Sequence, residues 1–303
     1  MSQLAIVIPY YKIDFFEETL QSIAAQSKKD FVLYIGNDAS PVDPLPTIQK
    51  YFKESDLKYF NYSENLGGQN LALQWQRILE NVTEDWFLIL GDDDYLSDNY
   101  VEEFYASISI VETSNINVIK SRSLIIDENK KVKFDYFADE KSGMKPAPDF
   151  FLRKLEGTAN SSLSEHIFRL QKYREVGFRT YPMAWHSDDM AVLSFSDYEN
   201  LYFIDSAICY VREFSNSISG GNQYYQEKKL ATLYFFKDIV ASAYQRFNKK
   251  HIIDFLRIVE NNTKNLNQKN ADLFILKHYL KNNYYKQAIK FLKRIIGRSL
   301  RIN

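Results

Sequence analysis

Trp86-Phe87-Leu88-Ile89-Leu90-Gly91-Asp92-Asp93-Asp94 is an apolar run that ends abruptly in three consecutive carboxylates. A short apolar run bounded by turn residues reads as a buried strand, and in an open α/β sheet ligands bind just past the carboxyl ends of the strands. Phe31-Val32-Leu33-Tyr34-Ile35-Gly36-Asn37-Asp38 has the same form, so Asp38 and the triplet are expected to line one cleft. Adjacent carboxylates repel one another unless something positive sits among them, and a hard divalent cation carrying phosphate oxygens resolves the conflict. The pattern points to an enzyme that handles a nucleoside diphosphate.

Working outward, Leu4 to Lys12 is a first strand ending in Pro9 and the aromatic pair Tyr10-Tyr11. Helical spacing of Phe15, Phe16, Leu20 and Ile23 follows it, then a helix near 47–53, a strand over 56–62 and a helix from Gly67 onward. A helix over 99–112 and two strands over 118–126 and 131–137, around the turn Asp127-Glu128-Asn129, come after the triplet. This β-α repetition predicts a mostly parallel sheet. Residues 139–165 contain Gly143, Pro146, Pro148 and Gly157 and read as a mobile or lid-like stretch. From about Tyr224 onward Gly and Pro nearly vanish, and apolar residues at three-to-four spacing predict a helical appendage.

The bulk numbers exclude several classes. A net charge of −1 argues against a general nucleic-acid binder. The lone Cys209, in an apolar stretch, excludes a disulfide framework, reads as core filler and fits a reducing compartment. The N-terminus lacks the form of a signal peptide, and no apolar stretch approaches the roughly 20 residues that span a bilayer, so a cytoplasmic location is expected. Glycine-rich dinucleotide and P-loop motifs are missing, and Cys and His are too few for a zinc site. An EF-hand fails as well, because Leu96 and Ser97 occupy the fifth and sixth positions counted from Asp92.

The first strand, Asn37-Asp38-Ala39-Ser40, Asn65-Leu66-Gly67-Gly68, Gly91-Asp92-Asp93-Asp94, the segment Phe168 to Phe178 and Ser187-Asp188-Asp189 recur in a telling order. Together they resemble the family 2 glycosyltransferases of the GT-A fold, of the bacterial surface-polysaccharide type, over roughly residues 4–219. The resemblance implies a Rossmann-like, mostly parallel α/β sheet flanked by helices over 1–221, with a nucleotide-binding half (1–115) and an acceptor half (116–221). Residues 222–303 would be the helical appendage. It further implies an inverting, metal-dependent transfer of a hexose or N-acetylhexosamine from a UDP-sugar to a saccharide or lipid-linked saccharide, with Mn²⁺ or Mg²⁺ as cofactor.

Residue by residue, the resemblance puts Pro9, Tyr11, Asp38, Asn65, Gly67 and Asp92 on the nucleotide side. Asp93 falls on the metal-binding aspartate and Asp94 on the acid that follows it. Asp188 and Asp189 fall on the acceptor-side pair, with Asp189 as the expected base. An exposed aromatic at a strand end offers a stacking face, and a nearby carboxylate can accept the imide N–H of uracil, the roles expected of Tyr11 and Asp38. The alternatives are an Asx turn for Asp38 with Ser40, and helix capping for Asp188 and Asp189. Trp185 is read as a platform for an acceptor sugar or a buried anchor, and His186 as bonded to a loop carbonyl.

Three departures stand out. Gly91 occupies a position where the family usually has another acid, and the arginine that commonly follows the Asn-x-Gly element is missing near Leu71 to Leu73. Phe214 replaces the histidine of an Arg-x-His segment, leaving Arg212 to face diphosphate or to pair with Glu213. The competing functions are a sugar-phosphate nucleotidyltransferase, which wants a basic glycine-rich loop after strand one, and a non-catalytic glycan-binding or scaffold protein. Finally, Tyr284 to Asn303 hold six cations and no acid, with Tyr285, Ala288, Ile289, Leu292, Ile296 and Ser299 on one helical face. Such a helix either lies peripherally on anionic lipid at the inner membrane face or docks on the domain with a solvated basic side.

Overall fold

The structure, a computed structural model, describes residues 3–214, 224–263 and 270–299. It divides into two compact units, Met1–Tyr224 and Tyr225–Asn303. The first half of the first unit runs β1 (Leu4–Tyr10), α1 (Phe16–Ala24), β2 (Val32–Asp38), α2 (Leu45–Ile48), β3 (Leu57–Tyr62), α3 (Leu71–Leu79), β4 (Trp86–Ile89), β5 (Tyr95–Leu96) and α4 (Tyr100–Thr113). Its second half runs β6 (Val118–Ile126), β7 (Val132–Phe134), β8 (Gly143–Pro146), α5 (Ala147–Leu155), β9 (His166–Arg169), α6 (Leu170–Val176), α7 (Ser187–Phe195) and β10 (Asn200–Arg212).

β3, β2, β1 and β4 lie side by side and parallel, and β9, β6, β10 and β5 extend the same sheet in that order. β9 is antiparallel to both β4 and β6, whereas β10 runs parallel to β6. Parallel pairing is therefore continuous in the N-terminal half and mixed beyond it. β1 shows why the sheet is central: Leu4, Ile6, Ile8 and Tyr10 enter a core with Phe16 and Leu20 of α1 and Phe104 of α4. Ala5 and Val7 enter a second core with Ile78 of α3, Phe150 of α5 and Phe195 of α7. With both faces covered, the strand reads as an unbroken apolar run.

Because β1 is flanked by β2 on one side and β4 on the other, the strand order reverses there, and their exits share one crevice. Val7 pairs with Ile89, and Leu90 N donates to Val7 O at 2.9 Å, which sets Tyr11-Lys12 beside the triplet.

Several local expectations change. The helix expected over 47–53 is the single turn α2, and the strand expected over 131–137 is the three-residue, exposed β7. Residues 139–165 hold more regular structure than expected: β8 pairs with β10 and α5 follows at once. Pro148 sits in the first turn of α5, where a missing N–H breaks no helical bond, so prolines that read as breakers mark a helix start.

The second unit consists of α8 (Tyr225–Ser242), α9 (Lys249–Thr263), α10 (Ala271–Lys281) and α11 (Tyr285–Ser299). Phe236 meets Phe255 with ring centroids 5.2 Å apart, Tyr279 meets Phe291 at 6.0 Å, and Arg294 clasps Glu260 through bonds of 2.9 and 2.6 Å. No described helix is long and apolar enough to cross a membrane. Residues 215–219, the serine-rich end of the segment after Arg212, and residues 300–303 of the basic terminus lie outside the described residues, as do the side chains of 298 and 299.

Candidate active site

Asp92 closes over the exit of β1, its Oδ2 accepting the backbone N–H groups of Tyr11 and Lys12, each at 2.7 Å. Burial and the charge of Asp93 push the Asp92 carboxyl up to about 7, against the pull of those two N–H groups. Asp93 is raised by burial, with Lys12 and Arg212 opposing. Asp94 turns inward: Ser164 Oγ donates to its Oδ2, and Arg212 N donates to its Oδ1 at 2.8 Å. Burial and the charge of Asp93 hold that carboxyl well above the usual range. Asp94, expected to ligate a metal, has both oxygens engaged here, tying the triplet to the 161–165 segment and to β10. Asp92 and Asp93 stay half-exposed.

An acid in place of Gly91 would have to push its carboxylate neighbours aside. A Cβ there would lie 2.9 Å from Asp93 Oδ1 and 3.0 Å from Asp94 Oδ2. Among the described residues no group of three or more His, Cys, Asp or Glu is arranged to hold a metal ion. Two adjacent desolvated carboxylates nonetheless fit a cation that takes its remaining ligands from water and a diphosphate, the usual habit of Mg²⁺.

On the nucleotide side, Asp38 is enclosed. Its Oδ1 accepts Leu66 N at 2.9 Å and Arg77 Nη2 at 2.6 Å, and its Oδ2 accepts Gly67 N at 2.7 Å. With the Asp38 side chain 3% exposed, the carboxylate, expected to accept from uracil, here anchors the 65–68 loop. The guanidinium of Arg77, from α3, also stacks on Tyr62, 3.6 Å from the ring centroid. Asn65 Oδ1 accepts Gly68 N and closes the turn. Pro9, in β1, pairs with Gly36, and Tyr11 beyond it stands 39% exposed.

Gly67 is required by this packing. A Cβ there would stand 2.6 Å from Asp38 Oδ2. Gly67→Ala is expected to lower stability by about 1–3 kcal/mol through overpacking, read as a lower thermal unfolding midpoint; an unchanged midpoint would show that the loop does not lean on Asp38.

On the acceptor side, Met183, Ala184 and His186 all adopt positive φ, at 58°, 53° and 68°. This tight approach delivers Asp188 and Asp189 into the first turn of α7, with His186 at the cap position and making no side-chain cap bond, so neither aspartate is the N-cap. Asp189 Oδ1 accepts Lys154 Nζ at 2.6 Å, and His186 Nδ1 lies 2.7 Å from Oδ2 in the geometry of an N–H donor. Burial alone would raise the Asp189 carboxyl, but the Lys154 ammonium and the His186 bond outweigh it and hold the group well below the usual range. Asp188, half-exposed, is pushed up to about 6 by burial and by the Asp189 charge, with Lys154 opposing. His186 Nδ1 thus meets a carboxylate, where a loop carbonyl was expected, and its ring meets that of Trp185 edge-on at 5.6 Å.

Arg212 does not face the crevice. Its guanidinium donates to Glu18 Oε2 at 2.6 Å, to Asp93 O at 3.0 Å and to the carbonyls of Asp127 and Glu128, and its side chain is fully buried. The expected alternatives, diphosphate or Glu213, give way to a structural role. Phe214 packs on Phe15, with centroids 5.5 Å apart. The sequence reading missed Lys154, Arg77 and Ser164, whose partners lie 35, 39 and 70 residues away, beyond any local signal.

The sequence model of glycosyl transferase family 2 matches residues 5–195. Among solved structures, S. aureus TarS 1-349 in complex with UDP-GlcNAc superposes with a TM-score of 0.65 at 15% identity, covering 96% of this chain and 79% of that one. S. aureus TarS 1-349 alone gives 0.63 at 13% identity, covering 91% and 80%. The chain spans 44% of the longer S. aureus TarS structure, and 88% of its own length is covered, with a TM-score of 0.61 at 14% identity. No curated protein matches by sequence.

Proposed function

Since the chain belongs to glycosyl transferase family 2, we propose that it moves a hexose or N-acetylhexosamine from a UDP-sugar to a saccharide acceptor, with inversion at the anomeric carbon. The observation that carries this reading is the meeting of Tyr11-Lys12 with Asp92 at the β1–β4 crevice, with the Lys12 charge acting on Asp93 beside it. The UDP-GlcNAc complex of the structurally similar TarS supports the donor class. The acceptor in this reading is a free or lipid-linked saccharide of a surface polysaccharide, and the setting is cytoplasmic.

Asp92 and Asp93 would hold Mn²⁺ or Mg²⁺, which when bound supplies charge stabilisation for the departing diphosphate. Tyr11 presents its exposed ring to the base. Asp38 and Arg77 hold the 65–68 loop that closes the nucleotide side. Asp188 takes the acceptor hydroxyl proton, because a half-exposed carboxyl raised to about 6 accepts a proton better than one clamped by two donors. Asp189, first choice on the resemblance, instead positions the loop through Lys154 and His186. A nucleotidyltransferase is disfavoured by the absence of a basic glycine-rich loop after β1.

Calorimetric titration of UDP, GDP and dTDP, with and without Mn²⁺, tests the donor reading. UDP is expected to bind only with metal and more tightly than the other two, and Asp38→Ala to weaken it by loosening the loop. Equal binding of GDP and UDP would overturn the uracil assignment.

A further inference from the structure

The overall balance of −1 conceals a divided molecule. Residues 225–303 carry 17 Lys and Arg against 5 Asp and Glu, a net charge of +12, whereas residues 1–224 carry 21 against 34, a net charge of −13. Such asymmetry between compact units marks the basic one as a surface for anions.

Within that unit the apolar arc of α11 is covered along one edge only. Ala288 and Phe291 form the buried edge, Phe291 against Tyr279. Tyr285, Ile289, Leu292 and Ile296 form the adjoining, uncovered row, exposed by 58, 56, 39 and 58%. At 3.6 residues per turn these four fall within an arc of about 60°, and Lys286, Lys290 and Lys293 lie on the flank beside it. A helix that merely docks and solvates a basic side has no use for leaving an apolar row of this size uncovered.

We infer that the second unit docks on an anionic lipid bilayer, the α11 ridge entering the headgroup boundary while the flanking lysines meet lipid phosphates. Charge decides among the occupants. A second copy of α11 would bring cations against cations, since residues 284–303 contain no acid. A nucleic acid would satisfy the lysines and leave the aliphatic row in water. The inference goes beyond the donor reading and does not depend on which sugar is transferred.

Cosedimentation of the intact protein with vesicles of phosphatidylcholine, with or without phosphatidylglycerol, tests it. Binding is expected to the anionic vesicles alone and to vanish near 1 M salt, where the Debye length shrinks to about 3 Å. Two variants, Ile289→Glu with Ile296→Glu, and the triple change of Lys286, Lys290 and Lys293 to Glu, should each weaken it about a hundredfold. All five positions are exposed, so the thermal midpoint and UDP binding should stay as in the native protein. Equal or absent binding to both vesicle types overturns the inference, as does salt-insensitive binding or native binding by the variants. An oligomer abolished by the isoleucine changes, without vesicle binding, would assign the ridge to a second copy. Oligonucleotide binding that ignores those changes, again without vesicle binding, would assign the charge to nucleic acid.

Discussion

Asp188→Asn is expected to lower turnover at least about a hundredfold while UDP affinity stays near that of the native protein, because the amide keeps the shape of the acidic pair but cannot take the acceptor proton. The rate of the native protein should depend on pH in a defined sense. A base must be unprotonated, so kcat should rise as pH passes through about 6 and level off above it. Lys154 lowers the proton affinity of Asp188, so Lys154→Met should move the inflection to higher pH, and Lys154→Arg should restore it. Asp189→Asn should cost stability as well as rate, since it leaves Lys154 with a weakened partner. Near-normal turnover of Asp188→Asn, together with loss in Asp189→Asn and an unchanged fold, would make the clamped aspartate the base.

Asp93→Ala is expected to remove both metal-dependent UDP binding and turnover, with UDP affinity in Mn²⁺ falling at least about a hundredfold. Asp93 makes this test clean because it does not tie β1 to β4 as Asp92 does, nor reach inward as Asp94 does. Asp92→Asn provides the control, since an amide oxygen still accepts the Tyr11 and Lys12 N–H groups while the charge is gone. It should weaken the metal effect and leave the thermal midpoint close to native. Isothermal titration with and without Mn²⁺ reads both variants; UDP binding by Asp93→Ala that still responds fully to Mn²⁺ would move the cation elsewhere.

The sequence by itself determined where the chemistry collects. An apolar run, a turn and a carboxylate are neighbours along the chain, so Asp38 and Asp92 to Asp94 could be placed at strand ends from local pattern alone, and the β-α alternation then put those ends at one edge of a sheet. It also determined the helical character of the described residues after Tyr224, because the loss of Gly and Pro is a local property. Which carboxylates stay open was decided only in three dimensions. Asp94 is closed by Ser164 and Arg212, 70 and 118 residues distant, and Asp38 by Arg77 and the 66–67 backbone. The same holds for the acceptor pair, whose identical side chains differ because Lys154, from a stretch that read as a lid, reaches one and not the other. Proton affinity and access depend on desolvation and on charges a few ångströms away, and those neighbours are set by how the sheet folds distant segments together.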